Sequence, residues 1–362
     1  MKKKVLVVAS TSDHLRTFHI PYIEKLKETC DVFTMSKDTN EQFADFNINF
    51  QKKILSFKNF KIIGEIKKIL KQEQFDVVFL NTSLAAFFVR MAIKGLKNKP
   101  RVVNIVHGYL FGEKTNYCKK MAFLFAEKFV RKQTTNIVVM NDEDYDIAKD
   151  NKLCTGEVYK IQGMGINGNR FSKKPIKNTG LEEEINFSFI GELSSRKNQS
   201  FLIEFVKELE KFGINAKLNL LGEGAQKAKL EKKIKRLGLQ NKVKLIGFVD
   251  DIEKFINKSN YYICASKIEG LPFNILEAMF AGSVIFSSNI KGTVDLIKDF
   301  ENGVLFELGN MSDLVNKFRL VKNNLTLQEK LRKNAKKTAE KYLLSEVFDD
   351  NMKLFENLVN EE

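Results

Sequence analysis

Residues 260–289 read "NYYICASKIEGLPFNILEAMFAGSVIFSSN" and hold the pattern that decides the fold. A short apolar run is followed by a loop with Gly270, a segment with helical spacing, and a second apolar run. This order of strand, helix and strand is typical of a parallel sheet with helices on its faces. Pro272 suits the first helical position, where its missing N–H is not needed, and Gly282 suits the helix end.

The same alternation continues along most of the 362 residues. The apolar runs before it are KVLVVAS, DVFTMS, FDVVFLNT, RVVNIVHG and TNIVVMN in the first half, and INFSFIGE, AKLNLLGEG and VKLIGFV in the second. Segments with helical spacing separate these runs. The sequence therefore predicts the α/β class, with two Rossmann-like parallel-sheet domains in tandem that face a central cleft.

A polar segment interrupts the alternation near the middle of the chain. Residues 168–184 read "GNRFSKKPIKNTGLEEE", with Pro175 and Gly180, a composition typical of an interdomain linker. We predict an N-terminal domain over residues 1–170, a linker over 171–184 and a C-terminal domain over 185–344. We also predict that residues 345–362 form a C-terminal helix that returns to the N-terminal domain.

The charge of the chain is basic and unevenly divided. The formal net charge is +15, of which residues 1–170 carry +11 (29 Lys and Arg against 18 Asp and Glu). Such a bias favours phosphate-bearing partners, namely nucleic acid, acidic lipid or a diphosphate substrate. The basic, apolar segment "YCKKMAFLFAEKFVRK" at 117–132 predicts a helix that either lies on an anionic membrane or simply covers the sheet.

Several other classes of protein lack support in the sequence. The four cysteines are far apart and form no C-x-x-C pair, so we expect buried free thiols in a reducing cytosol rather than a zinc ribbon or a disulfide framework. No stretch approaches the roughly 20 apolar residues that span a bilayer. The short apolar run near the N-terminus is typical of a strand rather than a signal peptide. We expect a cytoplasmic protein that is able to contact a membrane surface.

Two glycine-containing turns each follow a predicted strand. In "GELSSRKNQS", residues 191–200, Arg196 and Lys197 stand at a helix entrance, where backbone N–H groups favour an anion such as a diphosphate. In "LLGEGAQ", residues 220–226, Gly222 and Gly224 permit the backbone to approach a ligand closely. A solvated basic turn and a plain loop are the alternatives for these two segments.

Two carboxylates flank the predicted start of the helix after Pro272. Glu269 lies on the loop, whereas Glu277 lies on the helix, eight residues further along. N–H groups of the first helical turn have no partner within the helix and attract anions. A ribose diol is one candidate partner for Glu277. The alternative is that Glu269 caps the loop and Glu277 points to water.

The chain contains three histidines, His14, His19 and His107. His107 follows a predicted strand and precedes a glycine, a position from which it would point into the cleft, and a structural hydrogen-bonded role is the alternative. His14 is expected in the loop after the first strand, and His19 is expected to pack on the following helix. The acidic run "NDEDYD" at 141–146 is predicted to cap a helix rather than to bind a metal.

The segment "EGLPFNILEAMFAG" resembles the motif of two glutamates separated by seven residues in glycosyltransferase family 4, the retaining nucleotide-sugar transferases of GT-B fold. "GELSSRKNQ" and "LLGEG" stand at the family's expected places before it, and "IVHGYLFGEK" resembles its capsular and exopolysaccharide members. The resemblance covers most of the chain. It implies an acceptor-binding first domain and a nucleotide-sugar-binding second domain.

The resemblance also implies roles for individual residues. It implies that Glu269 contacts the donor sugar, that Glu277 binds the ribose hydroxyls and that Lys197 holds the diphosphate. The implied catalytic residues are Glu269, Lys197 and His107; the other implied donor contacts are Gly191, Arg196, Gly222, Glu223, Val249, Gly270, Leu271, Phe273 and Asn274; the implied acceptor contacts are Ser12, His14 and His107. No metal ligand is implied, and no cofactor beyond the donor substrate.

One position departs from the family pattern. The family often has Gly-Arg where this chain has Gly191-Glu192, so one cation of the phosphate site is missing from its usual place. Arg196, beside Lys197, is the candidate substitute, and the sequence leaves open whether it takes that role.

The resemblance therefore implies a metal-independent, retaining transfer of a hexosyl or N-acetylhexosaminyl group from a UDP-sugar. The implied acceptor is a lipid-linked (polyprenyl-diphosphate) sugar or an oligosaccharide in cell-surface polysaccharide synthesis. The basic first domain would contact the inner face of an anionic membrane. The alternatives are a GT-B nucleotide-sugar epimerase and a non-enzymatic nucleic-acid-binding protein. The paired glutamates argue against the first and the lack of recognisable nucleic-acid motifs against the second, so nucleic acid is not an expected partner.

Overall fold

The computed structural model describes residues 2–38, 43–51, 56–171, 184–249 and 251–361. The chain divides into two compact units. The first unit comprises Met1–Gly165 with Val347–Glu362, and the second comprises Ile166–Glu346. Most of the predicted linker, residues 172–183, lies outside the described residues.

A seven-stranded sheet forms the centre of the first unit. Its strands are β1 Lys4–Val8, β2 Asp31–Ser36, β3 Phe46–Asn47, β4 Val77–Leu80, β5 Arg101–Val106, β6 Asn136–Val139 and β7 Val158–Lys160. They lie in the order β3-β2-β1-β4-β5-β6-β7, and every neighbouring pair is parallel. The central strands are apolar and buried, as a sheet covered on both faces requires. The predicted parallel sheet is confirmed.

Helices follow most of these strands. They are α1 Ser12–Phe18, α2 Ile20–Lys27, α3 Phe57–Glu73, α4 Ser83–Ile93, α5 Tyr117–Val130 and α6 Asp142–Asp150. A buried ion pair joins α4 to α5, because Nη1 and Nη2 of Arg90 donate to the two carboxylate oxygens of Glu127, over 2.9 and 3.1 Å. This pair and the apolar residues around it fix which face of α5 points away from the sheet.

A six-stranded parallel sheet forms the centre of the second unit. Its strands are β8 Ile185–Ile190, β9 Ala216–Leu221, β10 Val243–Gly247, β11 Tyr261–Cys264, β12 Val284–Ser288 and β13 Val304–Phe306, in the order β10-β9-β8-β11-β12-β13. Its helices are α7 Gln199–Glu210, α8 Lys227–Arg236, α9 Glu253–Ile256, α10 Phe273–Phe280, α11 Met311–Lys322 and α12 Leu325–Glu340. The second predicted parallel sheet is therefore confirmed as well.

The last helix, α13 Leu344–Asn360, begins in the second unit and continues as part of the first from Val347 onward. Within the first unit, the side-chain amide of Asn351 donates to the hydroxyl of Tyr22 over 3.0 Å and to the carbonyl oxygen of Gly163 over 2.8 Å. Because all three groups are buried or half-buried, these hydrogen bonds hold α13 in a defined register.

Two sequence expectations about local structure were wrong. His14 lies within α1 rather than in a loop, because the Ser and Asp residues after β1 begin a helix instead of a turn. Cys118 is exposed and Cys154 is half-buried, whereas all four free thiols were expected to be buried.

Within the described parts of the chain, no helix combines the length and the apolar character that a membrane span requires.

Candidate active site

The second-unit site is built where β8 and β11 end side by side. These strands pair in parallel, so the loops that follow them leave the same edge of the sheet. The backbone N–H of Lys267 donates to the carbonyl oxygen of Arg196 over 2.8 Å and joins the two loops. In open α/β sheets, ligands bind at this edge.

A compact ion cluster occupies this edge. Lys197 Nζ donates to Glu269 Oε1 over 2.5 Å, and Arg196 donates to Glu269 Oε2 over 3.0 Å. Lys197 and Glu269 are only 8% and 7% exposed. The structure thus brings together three residues that the sequence placed at one site. Both carboxylate oxygens are engaged by a cation, and the cluster keeps a net charge of +1.

The protonation state of Glu269 follows from these contacts. Burial disfavours its charged form, but Lys197 and Arg196 outweigh burial, so the pKa of Glu269 is lowered. The side chain is therefore a carboxylate at neutral pH, held on two sides. Such a group positions its neighbours well and is a weak nucleophile, because both oxygens already accept charge-assisted hydrogen bonds.

The helix α10 begins directly after this cluster. Pro272 precedes its first residue, Phe273, and its carbonyl oxygen accepts the first helical hydrogen bonds from Ile275 and Leu276, over 2.9 and 3.2 Å. The expectation that Pro272 is itself the first helical residue was wrong by one position, because its ψ of 89° is not helical. The predicted end at Gly282, which has φ +84°, is confirmed.

Asn274 ties the start of α10 back to the sheet. Its side-chain amide donates to the carbonyl oxygen of Ile190, the last residue of β8, over 2.7 Å. Leu271 is buried, whereas Phe273 and Asn274 are half-buried. The first turn of α10 is therefore fixed against the strand that leads to Arg196 and Lys197.

Glu277 lies one turn further along α10, with 19% of its side chain exposed. Burial raises its pKa to about 7, and Arg170, whose nearest nitrogen is 4.0 Å away, opposes that effect. The two expectations for Glu277 were ligand binding and exposure to water. Because the side chain is mostly covered, it does not simply point to water. Arg170 was not predicted to lie near Glu277, although it lies in the linker segment quoted above.

At two glycines, the loops at this edge of the sheet approach each other closely. Gly222 has φ +132°, and a Cβ there would lie 2.2 Å from the carbonyl oxygen of Gly191. Gly292, which the sequence did not indicate, has φ +79°, and a Cβ there would lie 2.0 Å from the carbonyl oxygen of Gly270. Both positions require glycine, since a side chain would collide with backbone.

The remaining predicted donor residues lie around this edge. Glu223 is exposed and pairs with Lys227 over 3.2 Å, while its carbonyl oxygen accepts from Leu193 over 2.9 Å. Val249 is half-buried against the cluster of Phe171, Ile252 and Ile256. Glu192, which stands where the family often has arginine, is exposed.

The predicted first-unit residues collect at another sheet edge. Ser12 is buried at the start of α1, and His107 directly follows β5. His19, not predicted as a site residue, brings its Nε2 to 3.1 Å from His107 Nε2. His14 packs edge-on against His107, with ring centroids 4.5 Å apart.

Burial keeps these imidazoles neutral. It lowers the pKa of His14 to about 4, although a hydrogen bond to the backbone of Asn81 opposes the effect. It also lowers the pKa of His19 and of His107, and the neighbouring histidines lower both further.

The acidic run at 141–146 has a structural role. Asn141 caps α6 by accepting from the N–H of Asp144 over 2.8 Å. Asp144 is buried and accepts from Tyr109 N–H over 3.2 Å. The capping prediction is confirmed.

Comparisons with known proteins relate both halves of the chain to glycosyltransferases. The family model "Glycosyl transferase 4-like" matches residues 4–141, and "Glycosyl transferases group 1" matches residues 171–338. The chain is 27% identical over 355 residues to EpsD of Bacillus subtilis (strain 168), covering 94% of this chain and 93% of EpsD. Over 326 residues it is also 27% identical to an α-1,4-N-acetyl-D-galactosaminyltransferase of Campylobacter jejuni, covering 88% and 84% of the two chains.

Among solved structures, Anabaena HepE in complex with UDP-glucose superposes with a TM-score of 0.75 at 17% identity, covering 98% of this chain and 99% of HepE. At this identity the likeness shows the fold, in agreement with the two parallel-sheet units. The chain belongs to the glycosyltransferases of GT-B fold, with a glycosyl transferase 4-like match in its first half and a group 1 match in its second.

Proposed function

We propose that the chain is a retaining glycosyltransferase that moves a hexosyl or N-acetylhexosaminyl group from a UDP-sugar to a hydroxyl of a lipid-linked glycan in cell-surface polysaccharide synthesis. The observation that carries the proposal is the cluster of buried Glu269 and Lys197 with half-buried Arg196 beside the start of α10. The name of the Campylobacter relative gives a PP-undecaprenol-linked acceptor. HepE was solved with UDP-glucose.

The cluster supplies the charge that a nucleoside diphosphate requires. Its net charge of +1 lies beside the N-terminal turn of α10, whose backbone dipoles also favour an anion. In the proposed complex Lys197 and Arg196 hold the diphosphate. Glu269 accepts hydrogen bonds from hydroxyls of the donor sugar, and Glu277 accepts hydrogen bonds from the ribose hydroxyls. Arg196 then takes the place of the arginine that is missing at Glu192.

The proposed step is a displacement on one face of the sugar. The bond between the anomeric carbon and the diphosphate oxygen breaks, and its electron pair stays on the leaving phosphate. The acceptor oxygen forms the new bond on the same face, and its proton passes to a leaving-phosphate oxygen. Lys197 and Arg196 stabilise the developing charge. Because both oxygens of Glu269 are already engaged, a covalent sugar intermediate on Glu269 is not expected.

We also propose that diphosphate departure needs no metal, since two side-chain cations already stand at that place. Adding Mg²⁺ or Mn²⁺ should leave the initial rate unchanged. A rate that depends on either ion would contradict this part of the proposal.

The proposed membrane contact rests on α5. Its outer stripe consists of Tyr117, Met121, Phe125 and Phe129, which are spaced four residues apart and are 74%, 42%, 71% and 45% exposed. Residues four apart share one helix face. Large exposed apolar patches of this kind mark interaction surfaces.

The charges around this stripe support an anionic lipid surface as its partner. Lys119, Lys120, Lys128 and Lys132 lie on or just after α5. The acidic residue of the helix, Glu127, is buried and paired with Arg90, so it does not offset them. An apolar stripe flanked by lysines is the combination that binds an anionic membrane. On this basis we propose that the enzyme works at the inner membrane face.

The transferase proposal is tested by incubating the protein with UDP-sugars and a polyprenyl-diphosphate-linked sugar, followed by NMR assignment of the anomeric product. Retention is expected. An inverted product, or a covalent adduct isolated on Glu269, would contradict the mechanism. Conversion of the donor to an epimer without acceptor would instead favour the epimerase alternative.

The membrane contact is tested separately by flotation with anionic and neutral liposomes at low and high salt. Binding is expected to anionic liposomes at low salt and to fall in Phe125→Ser. Phe212→Ser, which removes an exposed phenylalanine of the second unit (45% exposed, against 71% for Phe125), is the control. Equal binding by both variants would rule out α5 as the contact.

A further inference from the structure

The three histidines of the chain come from distant segments and converge on one point of the first unit. His14 lies within α1, His19 joins α1 to α2, and His107 follows β5. One potential ligand nitrogen from each imidazole lies within 4.8 Å of the other two. The sheet order explains the convergence, because β1 and β5 both flank β4 and therefore end at the same edge.

We propose that His14, His19 and His107 form a binding site for a divalent first-row transition metal, with Zn²⁺ as the ion that best fits the donor set. The inference does not depend on the proposed transfer reaction. It concerns a site in the first unit, whereas the proposed diphosphate site belongs to the second.

The distances suit such an ion. Zn²⁺ binds histidine nitrogen at about 2.0–2.1 Å in tetrahedral sites, so two ligand nitrogens stand roughly 3.3–3.4 Å apart. The 3.1 Å between His19 Nε2 and His107 Nε2 is close to that separation. The third nitrogen, on His14, lies within 4.8 Å of the other two, so ion binding requires it to move closer by up to about 1.4 Å.

The hydrogen bonding of His14 points in the same direction. Its ring donates to the backbone of Asn81 at the end of β4, while its Nε2 is buried and has no hydrogen-bond partner within the described part of the structure. A backbone carbonyl that binds one ring N–H leaves the other nitrogen as a lone-pair donor, which is the usual arrangement of metal-bound histidine. An unpaired buried nitrogen is otherwise costly.

The donor set also limits which ion can bind. The described group contains imidazoles alone and no carboxylate. Imidazole nitrogen suits Zn²⁺, Co²⁺, Ni²⁺ and Cu²⁺, whereas Mg²⁺ and Mn²⁺ prefer oxygen ligands. Three protein ligands leave a fourth position open, as in sites that exchange a water molecule.

The test uses full-length protein without a polyhistidine tag, stripped with a chelator and titrated with Co²⁺ and with Zn²⁺. We expect one ion per chain, with the visible absorption of tetrahedral Co²⁺ and displacement of Co²⁺ by Zn²⁺. His14→Phe keeps a ring of similar size and should weaken binding by at least about 10–100-fold, the loss that even an outer-sphere partner causes.

Two controls keep the result interpretable. Cys118→Ser removes the exposed thiol, the most accessible competing ligand, and should leave binding unchanged. Circular dichroism and thermal unfolding of His14→Phe and of His14→Gln should show that both fold. Absence of stoichiometric binding, equal binding by the two His14 variants and the parent protein, or loss of binding in Cys118→Ser would overturn the proposal. The readout is metal binding by the protein without substrates, so a negative result leaves the transferase proposal standing.

Discussion

Lys197 Nζ lies 2.5 Å from Glu269 Oε1, and both side chains are almost fully buried. Because a buried charge that loses its partner is strongly destabilising, this pair links folding to the proposed chemistry. We predict that Lys197→Met lowers the free energy of unfolding by about 3 kcal/mol, since Arg196 still contacts Glu269. The turnover number should fall by about 10²–10³. Urea unfolding and initial rates measure the two effects.

Lys207→Met is the matched control for this substitution. It breaks a pair with Glu210 on α7 in which the lysine side chain is 47% exposed, and exposed pairs contribute at most about 1 kcal/mol. Its turnover number should match that of the parent. If both variants lose similar stability and keep similar rates, the buried cluster has neither role.

Glu277→Gln should stabilise the protein in a manner that depends on pH. Burial raises the pKa of Glu277 to about 7 from 4.5. Between these values the folded state holds a proton that the unfolded state has lost, so stability falls as pH rises from about 4 to 7. The full loss corresponds to about 3 kcal/mol. The amide that replaces the carboxyl group stays neutral throughout, so the melting temperature should rise at pH 8 and stay near that of the parent at pH 4. A gain of equal size at both values would refute the buried-acid explanation.

Glu277→Ala should remove the thermal shift caused by every nucleotide sugar alike, and by free UDP. The reason is that the ribose is common to all these ligands, if Glu277 binds its hydroxyls as proposed. Glu208→Ala, which removes a surface ion-pair partner of Lys211, should keep the parent shifts. Loss of the shift for one sugar alone would contradict a ribose role for Glu277.

Gly292→Ala should disturb the proposed donor site more than Gly213→Ala, although both positions have positive φ. The values are +79° and +68°, so each alanine meets backbone strain of about 1–2 kcal/mol. At Gly213 no atom of the described residues lies within 4 Å of the added Cβ, whereas at Gly292 the carbonyl oxygen of Gly270 would lie 2.0 Å away. Unfolding and UDP-binding measurements should show a larger stability loss, and weakened binding, for Gly292→Ala alone. Equal effects would mean that the loops simply move apart.

The fold was predictable because its central strands are short, apolar and buried on both faces, which leaves a plain signal in the sequence. The elements that escaped prediction are short. Phe46–Asn47 has two residues, and Val158–Lys160 and Val304–Phe306 have three each, too few to show a period. The helix Ser12–Phe18 was missed because its first residues are equally typical of a turn.

The sequence predicted which loops form the candidate site, but it did not predict which side chains in those loops contact one another. The family resemblance implied that Lys197 and Glu269 serve one donor site, but they are 72 residues apart, and their pairing depends on how β8 and β11 align. Arg170 gave no local signal, since a single arginine in a polar segment is ordinary. The joining of His14, His19 and His107 depends on the order of β1, β4 and β5, which alternation alone does not specify.

The crossing of α13 from one unit to the other has a consequence for the order of folding during synthesis. The residues of the second unit are all present once Glu346 has left the ribosome, whereas the first unit still lacks the turns of α13 that begin at Val347. Domains usually fold from the N-terminus as translation proceeds. The synthesis of the first unit therefore begins before that of the second but is completed after it. Asn351, which donates a hydrogen bond to Tyr22, is synthesised 329 residues after Tyr22.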